Sequence, residues 1–184
     1  MDLVWPAQEY LAGYAHALEQ GWSPDTQRAA AAQEELARIA RDPTAFLTEQ
    51  IDREGRGPPV VLPDGSTVPR LPGYRRWMWD GEFCGTIGFR WQPGTPALPP
   101  TCLGHIGYSV VPWKRRRGYA TAALALLLPE IRREGLPYVE LTTDAANVAS
   151  RRVIEANGGT LVEEFAKPAS HGGALGLRFR IALV

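Results

Sequence analysis

Residues 110–124 read Val-Val-Pro-Trp-Lys-Arg-Arg-Arg-Gly-Tyr-Ala-Thr-Ala-Ala-Leu, four cations in a row and then small, helix-favouring residues. Such a run can hold an anion. The first four amides of a helix have no partner within it and carry the positive end of its dipole, so a phosphate can satisfy them. Gly118 removes a side chain where the anion must approach the backbone, and Ala120 keeps the first turn narrow. Ala120, Ala123, Leu124, Leu127, Leu128 and Ile131 recur at helical spacing, and packing that face on a sheet fixes where the N-terminus points. Two other readings stand beside this one: a solvated turn between strand and helix, and a handle for nucleic acid.

Composition weighs on the last of these. The 184 residues carry 20 Lys plus Arg against 20 Asp plus Glu, so no global field draws polyanions or acidic membranes. A nucleic-acid binder ordinarily spreads its cations over a face with aromatic platforms, and one short run is not that. Neither nucleic acid nor a membrane is expected as a partner. Two cysteines, Cys84 and Cys102, and three histidines are too few and too scattered for a zinc ligand set, so no metal is expected and both cysteines read as reduced, buried thiols. The N-terminus lacks the basic region and apolar run of a secretory signal, which points to a cytoplasmic protein. A hydrophobic content of 45% at this length suits one globular domain.

The elements that must position the basic block follow from local signals. "PAQEYLAGYAHALEQG" reads as a helix closed by Gly21. A second helix is predicted from Ser23 as cap and Pro24 as first residue, with Leu36, Ile39 and Ala40 as its buried stripe, and a third from Asp42-Pro43 over "PTAFLTEQID". From residue 60 the period shortens: Asp64-Gly65 and Asp80-Gly81 each stand between β-rich arms and predict two hairpins. "QPGTPALPPT" is a loop over a site, "LGHIGYSVV" a strand, and a helix from about Gly118 to Arg133 follows, in which Pro129 predicts a kink or an early end. A strand at "YVELTT", a helix from about Asn147 to Asn157 and strands near "TLVEEF" and "LGLRFRIAL" complete an α/β fold with a mixed central sheet flanked by helices.

The segment from about Leu103 to Gly159 resembles the GNAT superfamily of acyl-CoA-dependent N-acyltransferases. Its signature Arg/Gln-x-x-Gly-x-Gly/Ala stands here as Arg115-Arg116-Arg117-Gly118-Tyr119-Ala120, with a strand before it, a helix starting within it, and "NVASRRVIEANGG" at the family's distance. Asn147 and Ser150 resemble the branch that includes ribosomal-protein N-terminal acetyltransferases. The resemblance implies one acyltransferase domain over 1–184: a helical segment at 1–55, a hairpin meander at 60–100 and an acetyl-CoA-binding βαβαβ half at 103–184. It implies that Arg115, Arg116, Arg117, Gly118, Tyr119, Ala120 and Thr121 hold the coenzyme A pyrophosphate, mostly through backbone amides. Val110 and Val111 would pair with the pantetheine arm as an added strand, and Asn147 and Ser150 would lie near the thioester. The family often has a glycine where Arg116 stands.

The implied reaction is direct attack of a primary amine, on a small molecule or a peptide, upon the acetyl-CoA thioester. It needs a neutral amine, a donor for the oxyanion and provision for the leaving thiolate. His105 is the expected base, sharing a strand face with the small residues Gly107 and Ser109; Glu82 and Glu140 are the alternatives. The oxyanion donor is the amide of Val110 or Val111. Many relatives protonate the thiolate with a tyrosine on the later helix; Ile154 stands at that position, leaving Ser150 as donor or as part of a cap with Asn147. The rival class is a non-catalytic acyl-CoA sensor or interaction module. Exposed edge strands in the C-terminal sheet are compatible with a homodimer.

Overall fold

The computed structural model describes residues 1–28 and 30–183. The chain opens on a strand that the sequence did not announce, β1 (Asp2–Val4), followed by α1 (Gln8–Glu19), which stops before Gly21 in the left-handed region at φ +84°. The second helix departs from expectation: α2 (Ala31–Arg41) begins well after Ser23. Ser23 Oγ accepts the Asp25 amide at 3.2 Å, and Asp25 Oδ1 accepts those of Gln27 and Arg28 at 2.8 and 3.2 Å. These side chains give the backbone an alternative to helix, so the segment stays a loop. The helix buries Ala31, Ala32 and Glu35, leaves Leu36 and Ile39 half-buried and exposes Ala40, which the predicted stripe had included.

α3 (Pro43–Thr48) starts as predicted, with Asp42 Oδ1 accepting the Ala45 amide at 2.9 Å and Pro43 in the first turn. It is shorter than expected, because its last residues form β2 (Ile51–Asp52). Both hairpins form: β3 (Val60–Val61) with β4 (Thr67–Val68), and β5 (Gly73–Trp79) with β6 (Phe83–Arg90). Then come β7 (Ile106–Val110), a 3-10 turn at Pro112–Lys114, α4 (Tyr119–Arg132), β8 (Tyr138–Asp144), α5 (Val148–Glu155), β9 (Thr160–Ala166) and β10 (Leu175–Ala182). Helix α4 runs through Pro129 without ending early, its inner face fully buried at Leu124, Leu127 and Ile131. Each such side chain contributes about 1.5–3 kcal/mol of burial, comparable to the roughly 3 kcal/mol that an interior proline costs.

The sheet is divided. One antiparallel sheet has the order β1-β5-β6-β7, with β2 also on β5; the second has the order β8-β10-β9. The α/β class with flanking helices is as expected, but the central sheet parts between β7 and β8, and among the described residues its strand pairs are all antiparallel instead of mixed. One apolar cluster joins Met78, Ile87 and Phe89 to α4 and to Leu141 and Phe179 of the second sheet. Another lies under α1, where Trp77 is fully buried and stacks on Tyr14 with ring centroids 4.4 Å apart. Cys84 is a buried free thiol, whereas Cys102 is only half-buried, since it sits in the loop before β7. Among the described residues no helix is long and apolar enough to cross a membrane.

Candidate functional site

The turn between β7 and α4 has the backbone that an anion site requires. Arg116 lies at φ +62° and Gly118, which precedes the helix, at φ +78°. The first helical bond is Ala122 N to Gly118 O at 3.0 Å. Among the described residues the amides of Arg116 to Thr121 make no hydrogen bond to the protein, so a run of N–H groups emerges at the positive end of a 14-residue helix. Three arginine side chains, Arg115, Arg116 and Arg117, are exposed around it, and Arg115 Nε bonds the Val110 carbonyl at 3.2 Å.

The fourth cation of the block has a different task. Lys114 is buried, with its ammonium 2.5 Å from Asp80 and 3.0 Å from Glu82; Asp80 also accepts the Tyr119 hydroxyl. The Lys114 ammonium, then the Tyr119 hydroxyl, hold the Asp80 carboxyl far below the usual range. Burial works against the Lys114 charge, but Asp80 and Glu82 outweigh it and raise its pKa. Asp80, which reads in sequence only as a turn residue, therefore ties the long hairpin to the start of α4. The Tyr119 side chain is spent on this tie, leaving its amide to the anion site.

Beside the turn the two sheets open. Val111 N donates to Cys84 O at 3.0 Å and Arg90 N to His105 O at 2.9 Å, which fixes the antiparallel alternation. Gly107, Ser109 and Val111 bond toward β6, and the N–H and C=O groups of Ile106, Tyr108 and Val110 face β8 across the gap. Of the two valines, Val110 has its amide toward the gap. Val111 does not: its amide is committed to Cys84, and its side chain is wholly buried under α1. Gly85 permits the close approach of β6 to this edge, since a Cβ there would lie 2.2 Å from the Ser109 carbonyl oxygen.

His105 and Glu140 form the closed end of the gap. His105 N donates to Glu140 O at 2.7 Å, and the Glu140 amide donates to His105 Nδ1 at 2.9 Å. An imidazole that accepts at Nδ1 carries its proton on Nε2, and this one has no exposed surface. Burial, above all, lowers its pKa, against the opposing pull of Glu140. The expected base is thus a neutral pin between the sheets with no free lone pair for an incoming proton, because the histidine precedes the strand instead of lying on its open face. Neither alternative base is free. The Glu140 carboxylate pairs with Arg178 at 3.1 Å and Arg180 at 2.7 Å, and Glu82, 79% exposed, pairs with Lys114 on the outer surface.

Ser150 takes part in the cap read from the sequence. Asn147 Oδ1 accepts its amide at 3.0 Å, capping α5, and its hydroxyl lies 2.8 Å from that of Tyr108. Tyr108 is half-buried, and burial pushes its phenol up to about 12. Ile154 is fully buried in the core. The sequence does not mark Tyr108 as a site residue: the period of two sets it on the strand face opposite His105, with Ile106 and Val110.

A cavity of about 490 Å³ reaches the gap from the side of α2, touching Tyr108 on β7 and Thr142 on β8. The loop "QPGTPALPPT" contributes Pro99 and Thr101 to its wall. Glu35 and Arg75 meet there at 3.2 Å, and Glu35 also accepts the Tyr14 hydroxyl. Among the described residues no group of three or more His, Cys, Asp or Glu side chains could hold a metal ion.

Comparison with known proteins bears on this arrangement. The family model of the GNAT acetyltransferase domain matches residues 8–160. No curated protein sequence matches significantly. Among solved structures, the Salmonella typhimurium acetyltransferase that modifies the N-terminal serine of ribosomal protein L7/L12 is 13% identical, with a TM-score of 0.61 over 98% of this chain and 93% of its own. RimL, a ribosomal L7/L12 alpha-N-protein acetyltransferase in complex with coenzyme A, is 13% identical, with a TM-score of 0.60 over 98% and 92%. The microcin C7 self-immunity acetyltransferase MccE, in complex with acetyl-CoA and AMP, is also 13% identical, with a TM-score of 0.60 over 98% and 91%. At such identities these likenesses speak for the fold alone. With an arginine-glycine turn opening α4, a sheet that parts beside it and a family match across most of its length, the chain belongs to the GNAT acetyltransferases, enzymes that use acetyl-CoA as acetyl donor.

Proposed function

We propose that this acetyltransferase passes the acetyl group to a primary amine of a small molecule or peptide by direct attack, with no acyl-enzyme. The observation that carries the reading is the run of unpaired amides from Arg116 to Thr121 beside an open strand edge. The amides and the helix dipole suit the pyrophosphate of coenzyme A. Tyr108 and Val110, whose polar backbone faces the gap, suit the amide groups of the pantetheine arm, and the Val110 N–H is the oxyanion donor.

In the transfer the amine nitrogen bonds to the carbonyl carbon, the carbon–sulfur bond breaks, one proton leaves the nitrogen and one reaches the sulfur. The hydroxyl pair of Tyr108 and Ser150 supplies the second proton, with Tyr108 neutral at working pH because burial raises its pKa. His105, Glu82 and Glu140 are engaged elsewhere, so the first proton goes to water. That favours amines of low pKa, such as α-amines near about 7.7–8.0, over lysine-like amines near about 10.4. A non-catalytic sensor is not favoured in a family of acetyltransferases.

The test has two stages. Calorimetry should give saturable acetyl-CoA binding, and its absence would end the reading. With an accepted amine, Tyr108→Phe should lower kcat about tenfold at unchanged acetyl-CoA affinity, at the low end for acid catalysis because a thiol of pKa about 8.5 leaves readily. An undiminished kcat would remove Tyr108 from the chemistry.

A further inference from the structure

We infer that the acceptor carries an anionic oxyacid group, a carboxylate or a phosphate, that docks on Arg90; this rests on the acetyltransferase reading above. Arg90 closes β6 and lines the cavity. Its guanidinium lies across Gly107 of β7, with Nη2 3.0 Å from the point a Cβ on that glycine would occupy, so it reaches the strand beside the gap. Among the described residues this guanidinium makes no ion pair and no hydrogen bond, although the residue is half-buried.

The other charged carboxylate and guanidinium groups of the cavity each hold a hydrogen-bond or ion-pair partner. Glu35 is held by Tyr14 and Arg75, and Glu49 pairs with Arg38. The Asp52 carboxylate accepts the amides of Arg56 and Gly57 at 3.0 and 2.8 Å, and Asp25 those of Gln27 and Arg28. Arg70 bonds the Pro58 carbonyl at 2.9 Å beside Asp52. The pKa of Arg70 is lowered first by burial, against Asp52, and further by Arg75, Arg38 and Arg90, which shows that the four cations share one field. Among the cavity's arginines the guanidinium of Arg90 alone has neither an ion-pair nor a hydrogen-bond partner among the described residues, and its planar fork matches a carboxylate or a phosphate. An acceptor anchored there by its anionic end can turn its amine toward the gap.

The test measures thiol release from acetyl-CoA with matched amines that differ in one charge: glycylglycine against its C-terminal amide, and phosphoethanolamine against ethanolamine. At least one anionic member should exceed its neutral partner about tenfold in kcat/KM, and the pair in which it does so tells carboxylate from phosphate. Arg90→Gln should erase that preference, and Arg90→Lys, which keeps the charge, should retain part of it. Equal use of both members, no turnover of any of the four, or a preference unchanged in Arg90→Gln would overturn the inference while acetyl-CoA binding by calorimetry still stood. Loss of that binding in the wild-type chain would instead overturn the reading beneath it.

Discussion

The turn that opens α4 and the cavity beneath α2 are made of different materials. At the turn, the groups free to bind are backbone amides, and the side chains that matter, Lys114, Asp80 and Tyr119, face away and brace it. In the cavity, the backbone recedes and side chains from α1, α2, β5 and the turn after α3 satisfy one another around Tyr14, Glu35, Gln50 and Arg75. The difference teaches which half of the site tolerates sequence change. A backbone site needs only the right φ and a firm helix, whereas a side-chain network fails when one member is lost.

The largest expected effect tests the second half of that contrast. Glu35→Ala leaves the fully buried Tyr14 hydroxyl and the Arg75 guanidinium without their anion, and urea unfolding should show a loss of about 2–3 kcal/mol. A loss below roughly 0.5 kcal/mol, the usual size for an uncoupled surface change, would mean that the network is not cooperative. Next comes Gly118→Val, which forces a β-branched residue to φ +78° at the head of the amides. Acetyl-CoA affinity should fall about tenfold or more by calorimetry, with the fold retained. The smallest effect is the sharpest: Arg116→Gly removes a cation but relieves a positive φ of +62°. Relief of about 1–2 kcal/mol is offset by about 0.5–1 kcal/mol of glycine entropy, so stability should rise slightly and acetyl-CoA affinity should change by less than about threefold. A loss as large as that of Gly118→Val would show that the arginine side chain, and not the backbone, holds the phosphate.

The same contrast explains what could be read in advance. The close of α1 before Gly21, the Asp42-Pro43 start of α3, the Asp-Gly hairpins and the arginine-glycine turn are local: each depends on residues within a few positions, and each formed where the sequence set it. The late start of α2 shows how a local rule fails, since Ser23 and Asp25 served a loop equally well. His105 failed for another reason. Its residue type suits a base, but its exposure depends on Glu140, thirty-five positions away, whose amide fills the imidazole's one lone pair.

By itself the sequence determined most of the elements, the α/β class and the turn that turns backbone amides outward, because those follow from φ preferences, capping and hydrophobic period over short spans. Only the tertiary structure decided that the sheet parts between β7 and β8, that Tyr108 meets Ser150, that Val111 faces the core and that Arg90 is left unpaired. Those outcomes depend on which distant groups consume one another's hydrogen bonds and charges, a question of partners that no stretch of chain can answer alone.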